Sequence, residues 1–122
     1  MDKIVIVGVG GFGREVAWLI ERINSVNPTW DLVGFVDDNK ALMGDNISGY
    51  PVVGDSEWLN NQPDDMYAVC AIGSSNIRKK VIQKLSNVKF ATLIDPKVEM
   101  SSTVEIGEGT IICAGTVLTI DV

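Results

Sequence analysis

Five aliphatic side chains recur at every sixth residue toward the end of this 122-residue chain: Ile94, Met100, Ile106, Ile112 and Leu118. Small or β-branched residues ride two positions ahead of them at Val98, Val104, Thr110 and Thr116, and Val122 extends that series. A helix repeats at 3.6 and a strand at 2, so neither accounts for six. Hexapeptide periodicity marks a parallel β-helix, in which each hexad contributes one short strand and one inward aliphatic side chain while Gly and polar residues turn the corners. Fewer than five complete repeats are present, and a solenoid coil buries its interior only against stacked neighbours. Val122 is an inward-type position in mid-repeat, so the chain is expected to be the front part of a longer protein. The open edge predicts self-association or local fraying.

Upstream, from Lys3 to about Leu93, different rules hold. Apolar runs alternate with helical periodicity, as in an α/β domain with a parallel sheet. Ile4 to Val7 is a continuous aliphatic run suited to a central strand covered on both faces. After a Gly-rich turn, Val16, Leu19, Ile20 and Ile23 share one helix face, and the helix is expected to end near Ser25, before Pro28. Leu32 to Val36 reads as a second strand that delivers Asp37 and Asp38 at its carboxyl end, and Gly44, Gly49 and Pro51 punctuate a loop beyond it. Asp55 or Ser56 can cap a short helix through Leu59. Tyr67 to Ile72 is a third strand, Ser74 or Ser75 can cap a helix with Ile77, Val81 and Leu85 on one face, and Phe90 to Ile94 is a further strand. Pro96 marks the change to hexads. The expected architecture is therefore α/β: a Rossmann-like parallel-sheet domain over residues 1–93, followed over 94–122 by the first coils of a left-handed parallel β-helix.

Ten basic against sixteen acidic residues give a net charge of −6, which offers no electrostatic footprint for nucleic acid or an anionic membrane. Cys70 lies in an apolar run and Cys113 inside a hexad, with no CxxC and no histidine in the chain. That argues against a zinc site or disulfide framework and for reduced, buried thiols in a cytoplasmic protein. No metal site is expected. Met1 leads through two charges straight into an apolar strand, without a signal peptide's apolar core and cleavage site. No apolar stretch approaches the length of a bilayer span.

The chemistry concentrates at the glycine turn. Gly8, Gly10 and Gly13 form G-x-G-x-x-G, with Gly11 and Phe12 between them. A strand precedes the turn and an amphipathic helix follows, the context in which bare backbone approaches a pyrophosphate and helix N-terminal amides point at its oxygens. Asp37 or Asp38 stands where such folds place an acid that accepts from ribose hydroxyls. Alternatively, the glycines merely permit a tight turn. Arg14, in the first helical turn, can offer a cation to a diphosphate or be a solvated helix residue. Arg78 opens the helix after Gly73, Ser74 and Ser75, at a second strand-to-helix junction on the carboxyl side of the sheet. Lys79 and Lys80 read as solvated, and Glu15 as a helix-dipole residue. Trp18, Trp30 and Trp58 sit in separate elements and read as core or rim packing.

Taken in order, Gly8 to Glu15, Gly34 to Asp38, Pro51 to Gly54, Ala71 to Gly73 with Arg78 to Lys80, and Ile94-Asp95-Pro96 ahead of the hexads resemble the sialic acid O-acetyltransferase family. That family includes the bacterial nucleotide-sugar N-acetyltransferases, such as the bacillosamine N-acetyltransferases. The resemblance spans the chain. It implies an N-terminal domain that holds a nucleotide-linked sugar, and a homotrimeric β-helix that binds acetyl-CoA between subunits for transfer of the acetyl group to the sugar. It also implies that Gly10, Gly11, Phe12 and Gly13 line the diphosphate and sugar, that Asp37 and Asp38 meet the nucleoside, and that Gly73, Ser74, Ser75 and Arg78 lie on the other side of the ligand. Family members commonly carry Ile-His-Pro at the junction and Gly-Asp-Asn before the third helix, where this chain has Ile94-Asp95-Pro96 and Gly73-Ser74-Ser75. The family's catalytic histidine lies further along the β-helix, so the catalytic residues are expected beyond Val122. An NAD-dependent dehydrogenase fragment and a non-catalytic nucleotide-binding or assembly module are the competing readings.

Overall fold

A computed structural model of the chain describes residues 1–86, 88–113 and 116–118. Val122, the last member of the hexad series, lies outside them. Ile4 to Val7 sits within β1 (Asp2–Val7), and the amphipathic run after the glycine turn forms α1 (Gly11–Val26). β2 (Trp30–Val36) begins two residues before the apolar run that announces it. The stretch read as a loop instead holds a hairpin, β3 (Asn46–Ile47) and β4 (Tyr50–Gly54), turned through Ser48 and Gly49 at φ 53° and 90°. Both turn residues at positive φ match the twist of a two-residue hairpin. β4 then joins the sheet beside β2, with Val52 opposite Phe35. Glycines and Pro51 hid this strand, because its pairing is non-local and its alternation is short.

Asp55 accepts from the Trp58 amide and so caps α2 (Ser56–Asn60), while β5 (Met66–Cys70) and α3 (Ser75–Lys84) follow, the latter capped by Ser74 through the Ile77 amide. The expected strand from Phe90 to Ile94 divides into β6 (Lys89–Phe90) and β7 (Leu93–Ile94). The chain changes partner between them: the Ala91 amide donates to Ala68 of β5, and the Leu93 amide to Thr110, far downstream.

Among the described residues the main sheet has six strands in the order β3-β4-β2-β1-β5-β6, parallel except for the β3–β4 hairpin. Alternation along β1 feeds two cores. Ile4 and Ile6 pack with Val16, Leu19 and Ile20 of α1, whereas Val5 and Val7 face Leu59, Met66 and partly buried side chains of α2 and α3. α1 therefore covers one face and α2 and α3 the other, the layering that a parallel sheet requires.

Beyond β7, the short strands β8 (Glu99–Met100), β9 (Ile111–Ile112) and β10 (Val117–Leu118) form two parallel ladders. Leu93 pairs with Ile111 and Glu99 with Val117, each 18 residues apart, three times the hexad period. Of the hexad aliphatics Ile112 is buried and Ile94, Met100, Ile106 and Leu118 are half-buried. Leu93 is fully buried in the α1-side core, so the front sheet and the ladders share packing.

Candidate functional site

The glycine turn works through backbone proximity. Gly8 has φ 109° and donates its amide to the Val36 carbonyl. A Cβ on Gly13 would run into the Gly8 carbonyl oxygen, so the helix starts directly against the strand end only because Gly13 has no side chain. Gly10, the N-cap, receives no side-chain cap and has open space where a Cβ would stand. The first amides of α1 have no intrahelical acceptors, and at Gly10 and Gly11 they border an open cleft.

That cleft, of about 550 Å³, lies at the carboxyl ends of β1, β2 and β5. The chain leaves β1 toward β2 and β4 on one side and later returns to β5 on the other, the topological switch point where α/β sheets take ligands. Of the residues singled out by sequence, Gly8, Gly10, Gly11, Phe12, Asp37, Asp38 and Gly73 line it. Gly13 is buried beneath the turn. Ser74 serves as a helix cap, and Ser75 opens α3. Arg14 is exposed and lies with Glu15, Trp18 and Ser48 beside Gly11, which also borders this cleft. Arg78 faces a second cleft instead.

The two aspartates differ in surroundings. Asp38 accepts from the Ser56 amide at 2.8 Å and hydroxyl at 3.0 Å, and pairs with Lys84 at 3.2 Å. Burial works against its ionisation, but the Ser56 donors and Lys84 outweigh it and hold the carboxyl below the usual carboxylate range. Its task is to tie the end of β2 to α2 and α3. Asp37 accepts from the Asn39 amide through one oxygen at 2.8 Å, which leaves acceptor capacity toward the cleft. Sequence reasoning missed Lys84, Ile77, Val81 and Ser56 as cleft residues. The helical spacing of Ile77, Val81 and Lys84 held the signal, since it puts them on one face of α3.

A second unanticipated feature joins the front sheet to the ladders. Arg22 of α1 donates from Nε and Nη2 to both carboxylate oxygens of Asp95, at 2.6 and 3.1 Å, and stacks 4.8 Å above Trp18. The Asp95 carboxylate is wholly buried and also accepts from the Lys97 amide. Hydrogen bonding from Arg22 holds its carboxyl below the usual range against the opposing effect of burial. Expectations for the thiols need one correction. Cys70 is half-buried, and burial pushes its thiol up, but Cys113 is exposed. The tryptophans pack in separate places: Trp30 edge-on to Tyr67, Trp58 against Gly54, and Trp18 at the rim with 55% exposure. No helix among the described residues is long and apolar enough to cross a membrane.

The chain is thus a parallel α/β/α domain with a glycine turn opening onto its switch-point cleft. Residues 3–85 match the model of the PglD N-terminal domain family, and the chain belongs to that family. It is 32% identical over 118 residues to UDP-N-acetylbacillosamine N-acetyltransferase of Bacillus subtilis (strain 168), a match that takes in 93% of this chain and 52% of the relative. Among solved structures it is similar to the acetyltransferase domain of PglB from Neisseria gonorrhoeae FA1090 in complex with acetyl coenzyme A, at 26% identity and TM-score 0.74, over 98% of this chain and 60% of that one. It is likewise similar to PerB from Caulobacter crescentus in complex with CoA and GDP-perosamine, at 26% identity and TM-score 0.74, over 99% of this chain and 56% of that one. The chain thus spans about half the length of the relatives it matches.

Proposed function

We propose that residues 1–93 form the nucleotide-sugar-binding domain of a cytoplasmic acetyltransferase that uses acetyl-CoA, and that 94–122 begin its left-handed hexapeptide β-helix, which assembles as a homotrimer. The observation that carries this reading is the cleft at Gly8–Phe12, at the switch point of a chain in the PglD N-terminal domain family. The relatives are acetyltransferases by name, and one structure holds a nucleotide-linked sugar. The 18-residue pairing interval supports the β-helix, since three hexads bring a triangular coil back onto itself.

In this reading the amides at Gly10 and Gly11 receive the diphosphate, and Asp37 accepts from nucleoside hydroxyls. Ile77 and Val81 supply an apolar wall, and Asp38 with Lys84 holds α3 against the rim. Acetyl-CoA would supply an activated thioester to an amine or hydroxyl on the sugar. That nucleophile must lose a proton as it adds to the thioester, a task best done by a base titrating near neutrality. The chain has no histidine, and Asp38 is held below even the usual carboxylate range. In this reading the part played by the chain is to bind substrate, and no residue of it is put forward as the base. Calorimetric titration of the chain with UDP-, TDP- and GDP-linked sugars, NAD and acetyl-CoA should show binding for a nucleotide-sugar alone. Binding of NAD with no response to any nucleotide-sugar would overturn the assignment.

A further inference from the structure

The helices flanking the main sheet are held unequally. α1 buries Gly13, Val16, Ala17, Leu19 and Ile20, and even the five-residue α2 buries Ser56 and Leu59. α3 buries none of its ten residues: nine are exposed, and Val81 alone is half-buried. Its apolar side chains toward the glycine turn nonetheless line the nucleotide cleft, where Ile77 is 54% exposed. Packing of an apolar face supplies most of a short helix's stability. A helix without it belongs to the part of a fold that opens most readily.

The two ends of α3 differ as well. At the carboxyl end Asn60 of α2 donates to the Lys84 carbonyl at 2.8 Å and accepts from the Ser86 amide at 2.7 Å, and Lys84 pairs with Asp38 at 3.2 Å. Leu85, just beyond, packs on the core beneath the sheet. At the amino end the chain is secured as far as Ala71, whose amide donates to Val7. Gly73 then has open space where a Cβ would stand, and the hydrogen bonds of Ser74 run into α3 itself, to the Ile77 and Arg78 amides. Among the described residues no hydrogen bond ties Gly73, Ser74 or Ser75 to another element. One end is fastened by side chains from two elements, and the other hangs from a glycine, the residue that most freely absorbs a change of backbone angle.

We propose that α3 is a lid on the nucleotide cleft, pinned at its carboxyl end by Asn60 and Asp38 and hinged at Gly73 and Ser74, so that a bound ligand draws Ile77 inward and buries it. This rests on the nucleotide-sugar reading of the cleft. A ligand that gives the exposed apolar side chain something to cover favours the closed position over the open one. The test places spin labels at Asn76→Cys or Gln83→Cys, each paired with Glu21→Cys on α1, in a chain that carries Cys70→Ala and Cys113→Ser. Distances are read with and without UDP-, GDP- and TDP-linked hexoses, and calorimetry shows which of them binds. With the bound ligand the distance from the Asn76 position should sharpen and shift by more than about 2 Å, while that from the Gln83 position should stay. Asn60→Ala should broaden the distance from the Gln83 position. In the unaltered chain the amides of α3 should exchange faster than those of α1, and the bound ligand should slow them about tenfold or more. A bound ligand with no movement at the Asn76 position, equal movement at both positions, or α3 amides as protected as those of α1 in the free chain would overturn the lid and leave the nucleotide reading standing. Failure of all three sugar nucleotides to bind the unaltered chain would overturn both.

Discussion

Asp37 and Asp38 are adjacent in sequence and divided in work. Asp38→Ala removes the acceptor for the Ser56 amide and hydroxyl, and should cost about 1–3 kcal/mol in urea unfolding. Asp37→Ala loses one exposed turn contact; stability should stay within about 0.5 kcal/mol, and nucleotide affinity should fall. Equal destabilisation by the two substitutions would contradict this division. The glycines divide in the same way. Gly13→Ala places a methyl on the Gly8 carbonyl and should destabilise by roughly 2 kcal/mol or more. Gly10→Ala has room, so it should fold normally, and under the proposed reading it should lose ligand affinity because the methyl would stand in the path of the diphosphate. Acid acts through Asp38 and Asp95, whose carboxyls are both held below the usual range. Their stabilising contribution is complete above the unfolded-state pKa of about 4 and disappears as pH falls through the lower folded values. The stability gap between wild type and Asp38→Ala should therefore be flat from pH 7 to about 5 and narrow below about 4.

At the scale of elements, α1 holds two ends of the molecule: its amino end builds the glycine turn, and Arg22 near its carboxyl end grips Asp95 at the start of the ladders. Removing one partner of a buried pair strands the other without compensation. Asp95→Asn should accelerate hydrogen exchange at the Leu93 and Asp95 amides, which donate to Thr110 and Ile112, and leave β1 and β5 protected. Unchanged exchange at those amides would show that apolar packing of Leu93 alone fastens the ladders. The sequence contains both residues but no sign of their pairing, because 73 positions separate them and the Ile94-Asp95-Pro96 junction names no partner for its carboxylate. β4 escaped notice for a related reason: its partner β2 lies across a hairpin whose punctuation resembles a loop. Strands and helices with strong periodicity, β1, α1 and β5 above all, were legible because their own spacing encodes the faces they bury.

Over the whole molecule, the hexad period and the G-x-G-x-x-G turn each foretold a geometry. The first appears as parallel pairing at an interval of 18 residues, the second as a cleft at the sheet's switch point. The sequence left open which cations would face that cleft. Lys84 lines it, Arg14 stands beside it at Gly11, and Arg78 lines the second cleft, since a helix register tells which residues share a face but not which cleft the face borders. The central claim is that the glycine turn receives the diphosphate of a nucleotide-sugar. Amide chemical shifts of the ¹⁵N-labelled chain, followed while UDP- and GDP-linked hexoses are titrated in, test it at single-residue level. The account predicts saturable shifts at Gly8 to Phe12, Asp37 and Gly73. Saturable shifts confined to other surfaces, or none with any nucleotide-sugar, would contradict it.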